Sequence, residues 1–128
     1  MPVSLLSNAG WAGLGLLSLV FIANAVGLID QRTAVRELAA TGVPERFARV
    51  AVRGGQLLQC AAVPALFFAP TRPYAALALA AFLIPATLTA HAFWKAPEEK
   101  RDMQLANFLR NAAIVGGLVM AAGWRRPS

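Results

Sequence analysis

Between Pro85 and Asn111, in the stretch PATLTAHAFWKAPEEKRDMQLANFLRN, polar and titratable side chains recur inside otherwise apolar sequence. The stretch holds the only histidine of the chain, His91, and an arginine, Arg110, set inside an apolar run. Read as a helical hairpin centred near Pro97 and Glu98, it puts Thr87 and His91 on one face of the first arm at i, i+4. On the second arm Gln104, Asn107 and Asn111 share a face at i, i+3, i+7, with Arg110 beside it. These six side chains can then converge at one end of the pair. An arginine at bilayer depth costs about 2.5–3.5 kcal/mol on the insertion scale, so such residues are candidates for function. His91 with Arg110 and Asn107 has the chemistry to polarise or protonate a carbonyl, such as that of a quinone ring, since imidazole titrates near neutral pH. The same residue types also lock helices together, each bond contributing about 0.6 kcal/mol. Structural lock and ligand site both stand open at this level.

Other chemistries lack their parts. One histidine, one cysteine and six acids confined to two charged segments do not make a metal site. Cys60 alone excludes an internal disulfide or a CxxC redox site; inside an apolar run it is expected to pack as a small hydrophobe. There is no nucleophile–base–acid set and no glycine-rich phosphate loop. No catalytic residue and no metal is therefore expected, and quinone is the one cofactor that the polar cluster keeps in view.

The elements that must position these residues follow from composition. The chain has 128 residues, one domain's worth, and is 58% hydrophobic and 14% charged, against about 45–50% and about 25% for soluble domains. Its net charge of +6 gathers in the gaps between apolar runs, which suits anionic headgroups and not nucleic acid. About 20 apolar residues span a bilayer, and the pattern predicts four spans, about 5–29, 44–68, 74–94 and 103–124. Between the first two, Ala34, Val35, Leu38 and Ala39 share one helical face, which predicts a short interfacial amphipathic helix. Gly42 reads as its stop, and Pro44 with Glu45 as the next start. The expected fold is all-α, a four-helix membrane bundle. Gly10, Gly13, Gly15, Gly116 and Gly117 are expected at close helix contacts.

A second polar stripe runs along the second span, where Arg46, Arg49, Arg53, Gln56 and Cys60 recur every three or four residues. Arg49, Arg53 and Gln56 are either snorkelling and helix-bonding groups or a pocket lining. The first and third loops carry eight Lys or Arg, namely Arg32, Arg36, Arg46, Arg49, Arg53, Lys95, Lys100 and Arg101. Arg72, Arg125 and Arg126 are the three on the other side. The positive-inside rule then places both termini outside a cytoplasmic membrane.

The motifs GLID…GVP between Gly27 and Pro44, PATLTAHAFW from Pro85 and QLANFLRNAAIVGGL from Gln104 resemble the DoxX-like family of small four-span bacterial membrane proteins. The resemblance covers about three-quarters of the chain. Pro85, Thr87, His91, Phe93, Trp94, Gln104, Asn107, Phe108, Arg110, Asn111, Gly116 and Gly117 occupy the motif positions. Where many relatives have a glutamate early in the second span, this chain has Arg53 or Gln56. The resemblance implies a four-helix bundle of the bacterial inner membrane. Its name-giving members look like a subunit of a thiosulfate:quinone oxidoreductase, and others are linked with oxidoreductase assemblies in oxidative-stress defence. A more distant likeness to the surfeit-locus cargo receptors points to scaffolding or lipid contact.

The expected function is an accessory or scaffolding subunit of a membrane-associated redox system, quinone- or thiol-linked. Its expected partners are the bilayer, a redox protein and a second copy of the chain, with no nucleic acid. The alternatives are a quinone-linked oxidoreductase subunit using His91 and Arg110, and a small solute or lipid transporter.

Overall fold

The computed structural model describes residues 3–25 and 31–124, with side chains from 8 to 25 and from 32 to 124. The Gly27–Asp30 motif, the end of the expected first span, and Arg125 and Arg126 lie outside the described residues. The described chain is all-helical: α1 (Val3–Ala25), α2 (Gln31–Ala40), α3 (Glu45–Leu66), α4 (Arg72–Ala90) and α5 (Glu98–Gly123), with a 3-10 turn at Phe93–Lys95. The helix α1 packs on α3, α3 on α4 and α4 on α5, and α5 returns to touch α1; α2 lies against α3 and reaches α4.

Local chemistry sets the ends. After α2, the Gly42 N–H donates to the Ala39 carbonyl (3.1 Å) at a φ of +103°, a left-handed stop that glycine takes without a Cβ penalty. Pro44 then leads into α3 as its N-cap. Two expected boundaries move. The helix α4 ends at Ala90, so His91 and Trp94 fall beyond it, because the chain must reverse before Pro97. Ala96, which precedes that proline, is held extended at φ −74° and ψ 147°. Helix α5 starts at Glu98, five residues before the expected 103. The EEKRD run is helical and not loop, since Glu98 and Glu99 in the first turn complement the positive end of the helix dipole.

Three helices are long and apolar enough to cross a membrane: Asn8–Ala25, Arg72–Lys95 and Glu98–Gly123. The expected second span, α3, has the length but not the composition. Glu45, Arg46, Arg49 and Arg53 fall in its first nine residues, leaving the uncharged residues 54–66, about 20 Å of helix at 1.5 Å per residue. A hydrocarbon core is about 30 Å thick.

The core is thin. Leu14 and Phe21 of α1, Leu66 of α3, Leu79 of α4 and Leu118 of α5 are buried, and alanines fill most of the remainder. Only 17, 22 and 11% of the three apolar stretches is buried inside the protein. Leu16, Leu57, Leu77, Val119 and Met120 point outward instead. Two glycines permit close contact: a Cβ at Gly10 would run into the Trp124 indole and one at Gly55 into the Phe82 ring. At Gly117 it would meet Leu17 at 3.4 Å. Gly13, Gly15 and Gly116 face open space, so the expected close-packing role is confined to the first glycine of α1 and the last of the Gly116–Gly117 pair.

Candidate functional site

The α4–α5 hairpin brings four of the six expected polar residues together, as two stacked pairs. The Asn111 amide donates to Thr87 Oγ1 at 3.1 Å, and the Thr87 hydroxyl donates in turn to the Leu83 carbonyl at 2.7 Å. Thr87 is 6% exposed, so this chain of donors satisfies a buried hydroxyl. One turn further toward the loop, His91 Nδ1 lies 2.8 Å from Gln104 Oε1. With the amide oxygen as acceptor, Nδ1 is the donor, and Nε2 is left without a side-chain partner among the described residues. His91 occupies the C-cap position of α4, its own N–H donating to the Thr87 carbonyl at 3.0 Å.

The remaining two do not join. Arg110 is exposed and Asn107 is half-buried, and neither makes a side-chain hydrogen bond among the described residues. The arginine expected beside the imidazole thus points away from the pairs. Beside them the motif aromatics Phe93, Trp94 and Phe108 form a three-way edge-to-face cluster with centroid separations of 5.2, 5.4 and 5.9 Å. It closes the loop end of the hairpin by aromatic packing.

The stripe on α3 divides. Gln56 donates to the Asn24 carbonyl at 3.1 Å and the Ala25 carbonyl at 3.4 Å, supplying donors to the last turn of α1. Asn24 in turn donates to Gln59 (3.1 Å), which donates to the Gly55 carbonyl (3.0 Å). Arg49 and Arg53 instead face α2 across an open groove of about 460 Å³, with Arg32 and Arg36 on the opposite wall. Arg49 pairs with Glu45 at 2.6 Å in the charged first turns of α3, outside its uncharged stretch. Cys60 is exposed and not packed as expected.

A site that the sequence reading missed lies at the opposite end. Arg72, taken as a loop charge, is 3% exposed. Its Nε donates to the Leu66 carbonyl at 2.7 Å, and its guanidinium sits 4.4 Å from the Trp124 ring centre and 5.2 Å from that of Trp11. Trp11 also stacks on Phe67 at 6.2 Å and meets Trp124 edge-on at 5.4 Å. A desolvated guanidinium over two indoles is worth about 2 kcal/mol, and a cation also suits the C-terminal end of α3. The available signal was an arginine between two prolines with tryptophans near the far ends of two other helices.

No family model, no curated protein and no solved structure matches this chain.

Proposed function

We propose that this chain is a multi-pass membrane protein with an accessory or scaffolding role, acting beside a redox partner in the bacterial inner membrane. The observation that carries the membrane part is the outward array of large apolar side chains on all four long helices, including Leu19, Leu57, Leu88 and Leu109. An apolar surface of this extent needs a covering that water does not give. The polar pairs support a scaffold more than a catalyst: each hydrogen bond between Thr87, His91, Gln104 and Asn111 ties α4 to α5. The redox partner is the part that rests on motif resemblance. Quinone contact, if the partner uses it, would draw on Nε2 of His91.

The test is purification of the tagged protein from its native membrane in mild detergent, with mass spectrometry of co-eluting proteins. A stoichiometric flavoprotein or thiol oxidoreductase is the expected result. A clean oligomer of this chain alone, together with unchanged respiration and thiol-oxidant tolerance on deletion, would overturn the redox role.

A further inference from the structure

We propose that the groove between α2 and α3 binds a phosphate-bearing anion, and that its natural occupant is the phosphodiester headgroup of an anionic lipid. Two arginine pairs at i, i+4 face each other here, Arg32 with Arg36 on α2 and Arg49 with Arg53 on α3. Like charges at that spacing disfavour their own helix, and bringing the two pairs to one groove adds repulsion between helices. Among the described lining residues Glu45 is the only carboxylate, and it is engaged with Arg49. Arginines outnumber carboxylates four to one among those residues, around a cavity of about 460 Å³, a size typical of small-ligand sites. An anion that accepts from several guanidinium groups relieves this repulsion; phosphate matches arginine's planar fork as carboxylate does, and its several oxygens can accept from arginines on both walls at once.

The choice of a lipid over free phosphate comes from the rest of the wall. Val35 and Val52 line the same groove, giving an apolar side next to the cationic one, as the glycerol and first acyl carbons of a headgroup require. A lipid occupant rests on the membrane reading above, and its binding is measured without any redox partner.

The experiment uses the full chain purified in neutral detergent, with dioctanoyl phosphatidylglycerol, dioctanoyl phosphatidylcholine and inorganic phosphate as probes. Binding is read by native mass spectrometry and by the shift in unfolding temperature. Phosphatidylglycerol is expected to bind and phosphatidylcholine not to. The Arg49→Gln/Arg53→Gln double variant should weaken binding by about tenfold for each arginine removed. Lys95→Gln/Lys100→Gln removes the same charge from exposed positions outside the groove and should leave binding unchanged. Inorganic phosphate that binds with the same arginine dependence, and displaces the lipid, would assign the site to free phosphate instead. Equal weakening by the lysine and arginine variants, or no binding of either phosphate probe, would overturn the site. If the α3 variant fails to keep its helical circular dichroism, Arg32→Gln/Arg36→Gln on the other wall gives the same readout.

Discussion

The guanidinium of Arg72, in the first turn of α4, lies 5.2 Å from the ring centre of Trp11, near the start of α1. The two helices therefore set out from the same end of the molecule. The chain that leaves α1 at Ala25 reaches Arg72 by way of α3, whose far end puts Phe67 against the same Trp11. If α1 and α4 cross a bilayer, α3 crosses it too, despite the four charges in its first nine residues. Its bonds to α1 through Gln56 and Gln59 turn those two amides inward, while the four charged side chains stay exposed.

This makes a topology prediction. In a Cys60→Ser background, Val43→Cys and Lys95→Cys variants should react with a membrane-impermeant maleimide from one side only. The Ala69→Cys variant should react from the other. The positive charges predict that Val43 and Lys95 are cytoplasmic. Labelling of Val43→Cys and Ala69→Cys from the same side would remove α3 from the membrane.

Arg72 should be a stability residue. Arg72→Ala loses the Leu66 carbonyl bond and both ring contacts, with an expected cost of about 2–3 kcal/mol in detergent unfolding. Arg72→Lys, which keeps the charge but not the planar fork, should fall between. An unfolding midpoint for Arg72→Ala equal to that of the parent protein would show that the cage does not hold the ends together.

Gly55 should tolerate no side chain while Phe82 is present. Gly55→Ala is expected to destabilise by about 1–3 kcal/mol through overpacking. Adding Phe82→Leu should recover part of that loss, because the obstructing atoms belong to the ring edge. Absence of any recovery in the double variant would mean that the α3–α4 contact adjusts elsewhere.

The polar pairs should couple modestly. A cycle of Thr87→Val and Asn111→Leu is expected to give about 0.6 kcal/mol, with about 1.7 kcal/mol as the upper range for membrane helices. Arg110→Gln, at an exposed position, should change stability by less than about 0.5 kcal/mol. A large Arg110 effect on stability would place its guanidinium in the cluster after all.

Local signals along the chain are enough for the helices and much of the hairpin. Long uncharged runs, Gly42 with Pro44, and the i, i+4 spacing of Thr87 and His91 are local signals, and hydrogen bonding in a helix is local as well. The hairpin alignment put Thr87 and His91 level with the face that carries Gln104, Asn107 and Asn111, because a short loop leaves an antiparallel pair little choice; which of them pair, Thr87 with Asn111 and His91 with Gln104, came from the packed structure. The charged EEKRD run was misread because solvation and helix-dipole stabilisation favour the same residues, and only backbone geometry separates a charged loop from a charged first turn. Tertiary structure alone decided the rest. Whether Arg72 lies in a loop or under two indoles depends on where α1 starts and α5 ends relative to α4, a long-range fact that the prolines beside it do not settle. Whether Arg49 and Arg53 face headgroups or a groove depends on how α2 folds back on α3. Periodicity fixes which residues share a face, but it cannot say what that face meets.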